Sequence, residues 1–152
     1  GCTFNAYENK VSANDSNPLW FCNINTCDVT VKNCTFKASR PIKVVEQGVD
    51  GANVTIINNK FDMSLTNSAN DANKPKNDAI MFSSITNTST LGNVVVSGNE
   101  VTGANALLTF FNPSQITMAN GATFTVSDNT LNGAKLSVEW KTTTEYKPDF
   151  VY

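Results

Sequence analysis

The chain contains no histidine, and arginine occurs once, at Arg40. Without histidine the usual general base, proton shuttle and nitrogen metal ligand are missing. Ser–His and Cys–His nucleophile pairs are excluded with it. Charge is scarce as well: 16% of residues are Asp, Glu, Lys or Arg, and the net charge is −2. That balance leaves no electrostatic footprint for nucleic acid or an anionic membrane surface. No apolar run approaches the roughly 20 residues that span a bilayer. No signal peptide opens the chain, which starts on Gly1 rather than Met and reads as a processed or excised piece.

What the sequence does contain is Asn, Thr and Ser, which favour strands and turns over helices. With 152 residues, 40% of them hydrophobic, one domain with one core is expected. The stretch Val54-Thr-Ile-Ile-Asn-Asn-Lys-Phe61 has close counterparts in four other segments. These are Phe4–Val11, Val29–Phe36, Val94–Val101 and Phe124–Leu131. Their sixth positions are Asn9, Cys34, Asn59, Asn99 and Asn129, at intervals of 25, 25, 40 and 30. A recurrence at this period marks a stacked-repeat architecture.

Each copy is apolar at its first, third and eighth positions. The first and third share one face of a strand, since strand side chains alternate at period 2. Two residues before each first position stand Cys2, Cys27, Ala52, Gly92 and Ala122, a column of small residues suited to a tight inner bend. The dipeptide ending each strand, such as Asn58-Asn59 or Gly98-Asn99, tolerates left-handed backbone angles. A second strand follows each loop: Leu19–Phe21, Ile42–Val44, Ile80–Phe82, Leu108–Phe110 and Leu136–Val138. If like residues stack, each turn asparagine lies above another and exchanges amide hydrogen bonds along the column. Cys34 lacks an amide, so the column is expected to be weakest there.

This pattern resembles the right-handed parallel β-helix proteins of the pectate-lyase-like superfamily, whose repeats carry a similar strand–Asn–x–apolar phrase with an asparagine ladder. The resemblance runs from Phe4 to about Trp140. It implies about five coils in residues 1–140, with residues 141–152 as a C-terminal extension or cap. The competing fold is an Asn/Thr-rich antiparallel β-sandwich, whose hairpins would carry Asn-Gly or Asp-Gly turns. Cys2 and Cys27, at equivalent positions on adjacent coils, are expected to be neighbours as free thiols. Zinc is not expected, because no CxxC motif accompanies the missing histidine.

The resemblance also implies acidic or complex polysaccharides as ligands. On the second-strand sheet the expected outward column is Trp20, Lys43, Met81, Thr109 and Ser137. Lys43, with Arg40 three residues before it, is the candidate Brønsted base of a lyase. An outward lysine is more often a solvated charge. Paired acid/base carboxylates are not visible on that face. The longest loop, Asp62 to Asp78, carries Asp62, Asp71 and Asp78 beside it and is expected to contribute to binding with Trp20, Lys43 and Phe111. No cofactor is expected, calcium on these aspartate oxygens being the one exception the chemistry allows, although the spacing fits no EF-hand. On the first sheet the outward column reads Asn5, Thr30, Thr55, Val95 and Thr125, beside Asp28, Asn53, Asn93 and Thr123. That second column breaks the flat double array of threonines found in ice-binding repeats.

Two functional readings follow. The first is a non-catalytic β-helix module of a bacterial or phage surface protein, adhesin or tailspike-like, that presents loops to a polysaccharide, a cell-surface glycan or a protein. The alternative is a polysaccharide lyase or glycosidase using Lys43. An extracellular or cell- or virion-surface location goes with either. Unpaired strand edges would be met by further coils upstream or by a homo-oligomer.

Overall fold

The computed structural model describes residues 1–6, 17–22, 27–38, 41–45, 50–64, 78–83, 89–111 and 115–140. The expected extension at 141–152 lies outside them. Among the described residues the protein is all-β, with no α-helix, and its parallel sheets curl into a half-barrel.

The strands in chain order are β1 (Thr3–Ala6), β2 (Leu19–Cys22), β3 (Val29–Lys32), β4 (Thr35–Ala38), β5 (Ile42–Val45) and β6 (Asp50–Ile57). They continue as β7 (Lys60–Asp62), β8 (Asp78–Ser83), β9 (Ser89–Ser97), β10 (Glu100–Thr102) and β11 (Ala106–Phe111). The last are β12 (Ile116–Met118), β13 (Phe124–Leu131) and β14 (Ala134–Trp140). One sheet runs β1-β4-β7-β10-β13-β9-β6-β3, with β12 beside β9 and β14 beside β13; the other runs β11-β8-β5-β2. Every pair is parallel except β13–β14. Parallel neighbours require a long return connection, which the repeat intervals supply with a strand of the opposite sheet in place of the usual helix.

From Val29 onward the repeats pair in phase. Val29 stands opposite Val54, Val54 opposite Val94, and Val94 opposite Phe124. The second strands also align, Leu19 with Ile42, Ile42 with Ile80, and Ile80 with Leu108. The inner residues Val54, Ile56, Val94, Val96, Phe124 and Val126 are fully buried, and Phe82 meets Phe124 edge-on at 5.4 Å to join the two sheets.

The first copy takes a different register from the expected one. Phe4 stands opposite Phe36 rather than Val29. It therefore fills the eighth position of the repeat, not the first. The reason is aromatic packing. Phe4, Phe36 and Phe61 form one stack, with centroids 4.9 and 5.0 Å apart and planes within 12° of parallel. The corrected register moves Cys2 out of the small column and over Cys34, while Asn9 lies outside the described residues. Of the rest of that column, Ala52 and Ala122 are buried but Cys27 is exposed, and two compensating register shifts set Ala52 opposite Leu91 instead of Gly92.

The last second-strand segment also departs from expectation. Leu136 does not join the smaller sheet: β14 runs antiparallel to β13, with Leu136 opposite Asn129 and Val138 opposite Val126. The cause is the Asn132-Gly133 turn, whose φ values of 49° and 83° suit a two-residue hairpin.

Candidate functional site

The site begins at the turn that ends β3, β6 and β9 and recurs within β13. Its first residue is Asn33, Asn58, Gly98 or Asp128, with φ of 55°, 55°, 65° and 54°. Asn and Asp accept this left-handed conformation more readily than other side-chain-bearing residues, and glycine accepts it freely. The next residue is Cys34, Asn59, Asn99 or Asn129, and the three asparagines are at most 2% exposed.

Their amides form a continuous relay. Asn99 Oδ1 accepts from the backbone N–H and the Nδ2 of Asn59, both at 3.0 Å. Asn129 Oδ1 accepts the same two bonds from Asn99 at 2.9 Å. The remaining Nδ2 hydrogens donate to strand carbonyls of the preceding repeat: Asn59 to Val31, Asn99 to Ile56 and Asn129 to Val96. The relay changes character at Cys34, whose backbone N–H donates to Asn59 Oδ1 and whose thiol donates only to the Lys32 carbonyl. A second column, more exposed, stacks Asp28, Asn53, Asn93 and Thr123. Each acid or amide oxygen there accepts the backbone N–H of the next repeat.

Beyond the buried turn, alternation along β4, β7 and β10 sends Phe36, Phe61 and Val101 inward and their neighbours outward. The outward side chains Thr35, Lys37, Lys60, Asp62, Glu100 and Thr102, with Ser64, line a groove of about 410 Å³. A shallower depression of about 340 Å³ over the turn residues shares Thr35, Lys60 and Glu100 with it, so the polar surface is continuous. Lys60 and Glu100 pair at 3.4 Å with both side chains more than half exposed, a contact worth about 0–1 kcal/mol. The pair therefore orients the two groups without locking them.

Asp62 is held more firmly. Its Oδ1 accepts from the Ser64 hydroxyl and, at 3.2 Å, from the Ser64 backbone N–H. The Ser64 hydroxyl does most to keep this carboxyl below the usual Asp range; burial opposes it, and the Ser64 backbone bond and Lys37 add lesser contributions in the hydroxyl's direction. Gly103, at φ 77°, permits this arrangement, because a Cβ there would lie 2.5 Å from the Ser64 backbone nitrogen. A depressed carboxyl contributes stability above its unfolded-state value and loses it as pH falls through the lower folded value. Ser64→Ala is accordingly expected to move the Asp62 titration upward toward the ordinary carboxylate value and to shrink that acid-side loss. Carbon-detected NMR titration of Asp62 checks it.

The residues expected from sequence are distributed differently. Trp20 is 57% exposed on β2, and the Lys43 ammonium sits 4.8 Å from its ring centroid, so this pair is brought together. Asp62 lies on the other sheet, in the groove. Asp78, at the start of β8, is fully buried and accepts a 2.7 Å hydrogen bond from the Thr109 hydroxyl. Met81 stands in register between Lys43 and Thr109, as expected, but is only 4% exposed. Phe111 ends β11 opposite Ser83, while Arg40 and Asp71 lie outside the described residues. Among the described residues no group of three Cys, Asp or Glu could hold a metal ion.

Lys37, Lys60, Ser64 and Glu100 were not singled out by sequence. Their signal was a polar residue on each side of the apolar eighth position, in Thr35-Phe-Lys37, Lys60-Phe-Asp62 and Glu100-Val-Thr102. Compared with known proteins, the chain matches no family model, no curated protein and no solved structure.

Proposed function

We propose that the chain is a run of parallel β-helix turns from a surface or extracellular protein, adhesin or tailspike-like, that holds a glycan without cleaving it. The β-helix reading is supported by parallel pairing at repeat-length intervals and by the buried amide column. The observation that carries the binding reading is the chemistry of the groove. Lys37 and Lys60 can meet the carboxylate of an acidic sugar, while Asp62, Glu100, Thr35 and Thr102 offer acceptors and hydroxyls to sugar hydroxyl groups. Lys43 serves the lyase alternative poorly. A base must be neutral to take a proton, whereas the Trp20 ring face attracts the ammonium form.

The test is an array of neutral and uronate-containing oligosaccharides, paired with an assay for unsaturated uronate release. Saturable binding without turnover is expected, weakened about tenfold or more in the Lys37→Ala/Lys60→Ala double variant, a change of about 1.4 kcal/mol. Uronate release abolished by Lys43→Ala would replace this reading with the lyase. Binding that ignores the double variant would remove the groove from it.

A further inference from the structure

The pentapeptide Cys2-Thr-Phe-Asn-Ala6 is repeated, with one change, as Cys34-Thr-Phe-Lys-Ala38. The two copies lie side by side: Thr3 pairs Thr35, Phe4 pairs Phe36, and Ala6 pairs Ala38. The Thr35 N–H donates to the Cys2 carbonyl at 2.9 Å, and the Cys2 N–H donates to the Cys34 sulfur at 3.4 Å. Cys2 and Cys34 thus take two successive places in the column that is otherwise asparagine. This is the one step of the described column with no side-chain amide on either side, so nothing like the Asn59–Asn99 link bridges it. The residues placed there instead are two cysteines in register.

We propose that Cys2 and Cys34 are a disulfide-forming pair, and that a covalent bond takes over at this step the role amides play at the others. Like positions on adjacent parallel strands lie about 4.8 Å apart, and a disulfide needs Cβ atoms at roughly 3.5–4.5 Å. The difference is about 0.3–1.3 Å, to be closed by a shift of β1, which ends its sheet. Cys2 is exposed and Cys34 half-buried, which sets the order of events. The Cys2 thiolate attacks a small-molecule disulfide such as oxidised glutathione, forming a mixed disulfide and releasing one glutathione thiolate. The Cys34 thiolate then attacks the Cys2 sulfur, the protein disulfide forms, and the second glutathione thiolate leaves. Two electrons pass from the protein thiols to glutathione, and the two protons pass to solvent. This inference is independent of the groove and survives or fails without it.

The experiment uses the full chain equilibrated with oxidised glutathione, then thiol-blocked and digested with trypsin without reduction. Cleavage after Lys10, Lys32 and Lys37 places Cys2 in peptide 1–10, Cys34 in peptide 33–37, and Cys22 with Cys27 in a third peptide. Peptides 1–10 and 33–37 are expected to be joined. Closing a span of 32 residues should raise the melting temperature of the oxidised protein by about 10 °C, a gain that reductant abolishes. Cys2→Ser should lose both the cross-link and the response to reductant. Cys34→Asn, which supplies the missing amide, should lose the cross-link while its melting temperature no longer depends on reductant. Peptide 1–10 linked to the Cys22–Cys27 peptide, or left as a glutathione adduct, overturns the proposal, as does a reductant response that persists in Cys2→Ser.

Discussion

Asn99→Ala is expected to cost about 4 kcal/mol, read as a lower urea midpoint at unchanged slope. The side chain is 2% exposed and central to the relay. Removing it leaves the backbone N–H and one Nδ2 hydrogen of Asn59 without an acceptor, and the Ile56 carbonyl without its donor. Each buried group left unpaired costs about 1–3 kcal/mol. Against a total stability of about 5–15 kcal/mol for a domain, the loss removes a large part of the folded margin. Asn93→Ala is the control. Asn93 also accepts from the next repeat, from the Thr123 N–H and hydroxyl, but it is exposed, and water replaces what is lost. Its cost is expected to be about 0.5 kcal/mol. Equal effects at the two positions would contradict the view that burial gives the inner column its importance.

Phe36→Ala is expected to cost about 3–5 kcal/mol. Phe36 has no exposed surface and lies between two parallel rings, with Phe4 on one side and Phe61 on the other. Truncation leaves a cavity whose walls belong to strands pinned by their own ladders, so they close in little. About 0.5–1.5 kcal/mol of the cost belongs to each ring–ring contact beyond simple burial. A double-mutant cycle of Phe36→Ala with Phe61→Ala should therefore show coupling, and Phe36→Leu, which keeps most of the volume, should cost about 1–2 kcal/mol. A Phe36→Ala protein as stable as Phe36→Leu would mean that the interior refills easily and that the rings are not a fixed stack.

The contrast between inner and outer columns also separates what could be read in the sequence from what could not. From Val29 on, the asparagine spacing was legible, as were the second strands up to Leu108–Phe110, because each repeat carries apolar residues at fixed offsets from one turn residue, so the copies confirm one another. The first copy was misread because Phe4-Asn-Ala6 is apolar, polar, apolar, a pattern equally at home before or after the turn. Only the longer match between residues 2–6 and 34–38 distinguishes the two. Leu136–Val138 was misread for a related reason: its alternation carries no information on strand direction, which Asn132-Gly133 decides. Asp78 looked like the end of a polar loop, yet it opens a strand whose described side chains are all buried. The groove escaped because no single segment contains it. It arises where alternate residues of β4, β7 and β10 meet, and in one dimension each of those residues is an ordinary surface charge.

The inner relay has a direction. Each Oδ1 faces the lower-numbered repeat, from Asn129 to Asn99, from Asn99 to Asn59 and from Asn59 to the Cys34 backbone. Under a pulling force the row resembles a zip fastener with one loose tooth. With both thiols reduced, tension should start tearing at Cys34 and advance toward Asn129, and a molecule anchored at one end would resist load differently from one anchored at the other.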